Sequence, residues 1–95
     1  MEISHAVLKD NSSLVHNIQQ MNINPDVPVA VEINLPDYLD TVSLLALERR
    51  MCEVSKVCNR KLRLLAKTTN LVVEKYATRI FAECDNIFLT VDWMS

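Results

Sequence analysis

The chain has 95 residues, 12 acidic and 10 basic, for a formal net charge of −2, with 49% apolar and 23% charged residues. That length accommodates one domain with a thin stability margin, since a globule this small buries only about two thirds of its unfolded surface, and the composition excludes a disordered chain. Glycine is absent altogether, which excludes the glycine-rich phosphate loops and dinucleotide fingerprints that need bare backbone against a pyrophosphate.

Without glycine, any turn that needs positive φ falls to Asn or Asp, so long helices with few turns are expected. Residues 2–9 (EISHAVLK) read equally as a strand or a frayed helical turn. Asp10-Asn11-Ser12-Ser13 supplies a helix start. Leu14, Val15, Ile18 and Met21 then share one face of a short helix, which Asn24-Pro25 ends. From 27 to 35 the period changes to two: Val27, Val29, Val31, Ile33 and Leu35 alternate with Pro28, Ala30, Glu32 and Asn34. This predicts an extended segment with one apolar edge, held by Pro28 to a sheet edge or a strand start. Ile87, Leu89, Val91 and Trp93 repeat the alternation at the other end of the sequence.

Between these segments the expected element is a long helix. Pro36-Asp37 suits a helix beginning, and residues 38–84 contain neither proline nor glycine. Leu44, Leu47, Met51, Val54, Cys58, Leu62, Leu65, Thr69, Val72, Tyr76 and Ile80 follow at steps of three or four. They fall within roughly 80° of arc at 100° per residue. Their mean step is close to the period of a straight helix, which favours packing in a bundle over a two-stranded coiled coil. Unbroken, such a rod would span roughly 70 Å at 1.5 Å per residue, whereas a globule of this size is only about 30 Å across. Either the rod bends back, most naturally at Thr68-Thr69-Asn70 with Asn70 capping a second helix from Leu71, or other chains cover it. The expected fold is therefore mainly α in a single domain. Residues 1–36 supply a short helix and an extended segment, 37–85 a long helix or helical hairpin, and 86–95 an extended tail, packed as a bundle or oligomer.

Charge is partitioned sharply along the chain. Residues 1–48 hold one Lys and seven acids, residues 49–79 nine Lys or Arg and two acids, and residues 80–95 three acids. On the expected helix Arg49, Lys56, Arg60, Arg63 and Lys67 form a ridge opposite the apolar stripe. That ridge is either a solvated face or a strip for phosphates or an acidic partner. Val57, Leu64 and Leu71 form a second apolar row, the mark of a helix with two neighbours.

Little points to chemistry. Cys52 and Cys58 would lie on different sides of a helix, so they cannot share a metal, and Cys58 sits in the apolar stripe as a buried, inert thiol. His5 and His16 have no companion at ligand spacing. Asp37 and Asp40 suit capping, Ser12-Ser13 has no base beside it, and Trp93 reads as a core anchor or an exposed hot spot. No catalytic, cofactor or metal residues are expected. The odd number of cysteines, the absence of a signal-like N-terminus and the absence of a long apolar run favour a cytoplasmic or nuclear protein with reduced thiols.

Two function classes remain. The first is a non-enzymatic interaction module, a scaffold, adaptor or chaperone-like subunit, that binds itself or another protein through Leu44, Leu47, Met51, Val54, Leu62, Leu65, Val72, Tyr76 and Ile80. The second is nucleic-acid binding, through the basic ridge or through a ribbon. The stretch Val29-Ala-Val-Glu-Ile-Asn-Leu-Pro-Asp-Tyr-Leu-Asp40 resembles the opening of ribbon-helix-helix repressors, in which an alternating strand ends in Leu-Pro and feeds an amphipathic helix. That resemblance implies a dimer whose paired strands enter the major groove, with Ala30, Glu32 and Asn34 towards the bases.

Overall fold

Strand and helix alternate along the whole chain. The computed structural model describes residues 6–24 and 26–93. In chain order it contains β1 (Ala6–Lys9), α1 (Leu14–Met21), β2 (Val29–Asn34), α2 (Thr41–Val57), β3 (Leu62–Thr68), α3 (Leu71–Phe81) and β4 (Ile87–Trp93). The four strands form one parallel sheet in the order β1-β2-β3-β4. This overturns the expectation of a mainly α bundle. The protein is an α/β fold with three helices among the described residues, the longest of these having 17 residues.

Topology dictates where the helices sit. Parallel neighbours need crossover connections, and crossovers take one hand. Strands added always on the same side then place every helix on the same face, and α1, α2 and α3 touch in chain order. The core lies between that helical layer and one sheet face. It joins Leu14 and Ile18 of α1 to Leu44, Met51 and Val54 of α2, Val73, Ala77 and Phe81 of α3, and Val29, Val31, Ile33, Leu62, Leu64 and Ala66 of the sheet. Ile18, Val31, Leu44, Met51, Leu62, Leu64 and Val73 are completely inaccessible to water.

The long helix fails at Val57, where the structure turns the chain with side chains instead of glycine. Cys58 has extended dihedrals, φ −78° and ψ 131°. Asn22 donates its side-chain amide to the Val57 carbonyl at 2.9 Å, and the Asn59 N–H donates to Asn22 Oδ1 at 3.3 Å. Arg60 then clamps the loop after α1, donating to the carbonyls of Met21 (2.7 Å), Asn24 (3.1 Å) and Val27. Buried carbonyls at a helix end need such partners. No non-glycine residue with positive φ occurs among the described residues.

Other boundaries follow local chemistry. Asn11 Oδ1 accepts from the Ser13 N–H at 3.0 Å and so sets the start of α1. Asp40 caps α2 through Ser43 N (3.1 Å) and Ser43 Oγ (2.7 Å). Asn70 caps α3 through the N–H groups of Val72 and Val73, so α3 begins at Leu71. The extended segments at 27–35 and 87–93 hold β2 and β4, so the described part of 86–95 is extended and belongs to the sheet. His5 and the side chain of Trp93 lie outside what is described.

The apolar stripe is dispersed. Leu44, Leu47, Met51 and Val54 face the chain's own core from α2, and Leu62 does so from β3. Leu65 points to the opposite face of the sheet, Val72 is exposed, and Tyr76 and Ile80 pack at the core's edge. The molecule measures 37 × 29 × 23 Å, so no rod of roughly 70 Å is left for other chains to cover.

Candidate functional site

A strand sends alternate side chains to opposite faces, and here the two faces differ completely. β3 runs buried, exposed, buried, half-buried, buried, exposed, buried from Leu62 to Thr68. Leu62, Leu64, Ala66 and Thr68 lie under the helices, so Arg63, Leu65 and Lys67 lie on the other side, which no element of the described chain covers. The register carries this division across the sheet. Val7, Ala30, Arg63 and Phe88 form one row. Lys9, Glu32, Leu65 and Thr90 form the next, and Asn34, Lys67 and Asp92 the third.

The first row is the most apolar. Val7 is 44% and Phe88 56% exposed. The Arg63 guanidinium carbon stands 5.5 Å from the centre of the Phe88 ring, a cation–π contact. Pro28, Ala30, Lys61, Arg63 and Phe88 line an open cleft of about 250 Å³ at the N-terminal end of the strands, with small, buried Ala30 among its walls. Two cations thus border an apolar depression.

The middle of the face is a charge relay. Glu32 pairs with Lys9 at 3.1 Å and with Lys67 at 3.6 Å. The Lys9 hydrogen bond and charge, helped by Lys67, hold the Glu32 carboxyl below its ordinary value, against a smaller opposing effect of burial. Glu32 therefore neutralises cations of its own sheet. Summed over the open face and its rim, Lys9, Lys61, Arg63 and Lys67 outnumber Glu32 and Asp92. The surplus positive charge is concentrated at the cleft.

The basic ridge is dispersed as well. Arg49 and Lys56 are exposed on α2, Arg60 is committed to backbone carbonyls, and Arg63 and Lys67 stand on the open sheet face. Ala30, Glu32 and Asn34 do share that face, but β2 pairs with β1 on one edge and β3 on the other. It has no free edge with which to form the two-chain ribbon that the resemblance implied.

A second surface lies along α3. It is a shallow cleft lined by Leu39, which precedes α2, and by Val72, Lys75, Tyr76 and Arg79 of α3, so Val72 and Tyr76 share this surface while Leu44, Leu47, Met51 and Val54 lie in the core. Further along, Cys52 of α2 and Cys84 of the α3–β4 turn are joined as a disulfide, with Cα atoms 6.6 Å apart. Glu48 Oε1 lies 3.5 Å from Cys52 Sγ and 3.4 Å from Cys84 Sγ. The sequence reading missed this group, because the two cysteines are 32 residues apart and only the turn after α3 brings them together. Cys58 is buried in the core. No helix among the described residues is long and apolar enough to cross a membrane. Protein-family models, curated proteins and solved structures all give no match to this chain.

Proposed function

We propose that the chain is a non-enzymatic, cytoplasmic protein-interaction module. Its open sheet face docks an acidic segment of another protein, with an apolar side chain of that segment seated in the Pro28–Phe88 cleft. The observation that carries this reading is the bare face itself. Parallel sheets are ordinarily covered on both sides, and this one has its helices on one side only. Exposed Phe88 beside Lys61 and Arg63 fits a ligand with an apolar anchor and carboxylates around it.

The topology supports a binding role over catalysis. In open α/β sheets, small-molecule sites form where the strand order reverses direction. The order β1-β2-β3-β4 contains no such reversal. The face also favours protein over nucleic acid. Arg63 already occupies one side of the Phe88 ring, which leaves a poor platform for stacking bases.

The test uses three labelled peptides of equal length: one alternating Glu with Phe, one alternating Lys with Phe, and one alternating Glu with Ser. A single-stranded oligonucleotide serves as a fourth probe, and fluorescence anisotropy in about 0.15 M salt reports binding. The Glu/Phe peptide should bind best, and Arg63→Glu and Phe88→Ala should each weaken it by about tenfold, equivalent to about 1.4 kcal/mol. Equal binding of all three peptides, indifference to Arg63→Glu, or preference for the oligonucleotide would each defeat the proposal.

A further inference from the structure

Glu48 and Cys52 are four residues apart on α2, so their side chains stack on one side of the helix. Cys84 reaches the same point from the turn after α3. The three donor atoms lie within 4.8 Å of one another, and all three residues are half-buried. They open onto a cleft of about 370 Å³ that Glu83 and Asp85 also line.

This convergence is held in place from both sides. Asn86, two residues after Cys84, donates its side-chain amide to the Ser55 carbonyl at 2.9 Å and the Arg60 carbonyl at 3.3 Å. Its own carbonyl accepts from the Leu62 N–H at 3.0 Å. Ser55 Oγ in turn donates to the Cys52 carbonyl at 2.7 Å. The turn that carries Cys84 is therefore fastened to the part of α2 that carries Cys52. The neighbours thus fix the two backbone segments that carry the donors, which a metal site requires, and the sulfurs need only part on reduction.

Charge gives a second, independent argument. Glu48 makes no ion pair among the described residues. When the sulfurs are joined they have no S–H to offer, and a half-buried carboxylate is left beside two neutral sulfurs without a donor. When they are free thiols, two S–H groups converge on one carboxylate oxygen. Removing those two protons would gather three negative charges in one spot, in a cleft lined also by Glu83, Asp85 and Lys56, and a bound divalent cation would offset them more fully than one lysine. Two thiolates and a carboxylate suit a thiophilic divalent ion of the zinc class, at three protein ligands with a fourth position left to water.

We propose that Glu48, Cys52 and Cys84, with both thiols reduced, form a binding site for a thiophilic divalent cation of the zinc class. Loading forms two sulfur–metal bonds and one oxygen–metal bond, and the two thiol protons pass to solvent. No electrons are exchanged in that step. In the joined state the sulfur pair cannot bind as thiolates, so reduction must come first. In the experiment a phosphine reductant supplies the two electrons and becomes its oxide, with water providing the oxygen and the two thiol protons.

The full chain, reduced with the phosphine and freed of metal, is titrated with zinc against a chromophoric chelator and separately with cobalt. One zinc per chain should be withdrawn from the chelator, with two protons released into weak buffer. Cobalt should give the thiolate charge-transfer band, about halved in Cys52→Ser and in Cys84→Ser and unchanged in Cys58→Ser. Glu48→Gln, which leaves both sulfurs in place, should weaken zinc by about tenfold or more, since even an outer partner of a metal ligand is worth that much. Wild-type protein kept in the disulfide form should withdraw no zinc. Circular dichroism identifies any serine variant that fails to fold, and in that case Glu48→Gln and the disulfide form decide. Failure of the reduced wild type to compete with the chelator overturns the proposal. So does zinc binding that survives disulfide formation, or that is indifferent to Glu48→Gln.

Discussion

The two faces of one sheet, built from the same four strands, follow opposite rules. Under the helices β2 and β3 present Val29, Val31, Ile33, Leu62, Leu64 and Ala66 to the core, and Leu62, Leu64 and Val31 are inaccessible to water. On the open side the adjoining positions hold Lys9, Glu32, Arg63, Lys67 and Phe88, mostly in contact with solvent. Residues that differ by one position in sequence thus have unrelated duties. Stability resides on one face, and the proposed capacity to recognise a partner is assigned to the other.

The sharpest way to break this comparison is to truncate neighbours. Leu64→Ala removes a fully enclosed side chain and should cost about 2–5 kcal/mol, a large share of the roughly 5–15 kcal/mol available to a small domain. Arg63→Ala, the next residue but on the other face, should stay within about 1 kcal/mol, most of it the contact with Phe88. Urea unfolding of both variants measures the pair. Equal losses would mean that the open face is part of the core after all.

Arg60 should rank next. Its guanidinium ties the loop after α1 to the start of β3 through three carbonyls, and hydrogen bonds to a charged group are the stronger kind. Arg60→Ala should cost about 2 kcal/mol, measured by the same unfolding curves, without altering peptide binding at the cleft. Asn70→Ala removes the cap of α3 and should cost about 1 kcal/mol. Amide exchange should then quicken in the first turn of α3 before it does anywhere on the sheet.

Much of the local structure was legible and the architecture was not. α1 followed from Leu14, Ile18 and Met21, the strand character of 27–35 and 87–93 from their alternation, and the start of α3 from Asn70. The error lay at β3. Leu62-Arg-Leu-Leu-Ala-Lys-Thr68 alternates by face, yet it is rich in residues with good helix propensity. Leu62 and Leu65 also extend the three-four spacing of α2. In a chain that is 49% apolar, a rule allowing either step can be threaded through almost any segment, so the long stripe had little power to reject a strand. Absence of glycine reinforced the mistake. Turns here are closed by Asn22, Asn59 and Arg60, partners 33 to 39 residues apart in the case of the clamp, and no local pattern announces them. With β3 read as helix, its two faces became one ridge and one stripe, and neither the bare sheet face nor the meeting of Cys52 with Cys84 could be foreseen.

The smallest effect expected is electrostatic, and it separates the open face from a helix cap. Glu32 and Asp40 both have carboxyls held below their ordinary values, Glu32 chiefly by the Lys9 hydrogen bond and charge, Asp40 chiefly by the Ser43 hydroxyl. A carboxyl whose folded-state pKa is lowered adds stability that is complete above its unfolded value and is lost as pH falls through the folded one. Wild type should therefore exceed Glu32→Gln in stability at neutral pH. The difference should hold down to the ordinary glutamate value of 4.5, decline below it, and be gone once pH is under the lowered folded-state value, as protonation makes the two side chains electrically alike. Asp40→Asn should show its own loss over the same acid range. Salt distinguishes the two. The Lys9–Glu32–Lys67 relay is exposed and screened, so about 1 M salt should erase the Glu32 difference at neutral pH. The short Ser43–Asp40 hydrogen bond should leave most of the Asp40 difference intact. Persistence of the Glu32 difference in high salt, read from unfolding midpoints, would show a face less open to water than the one described.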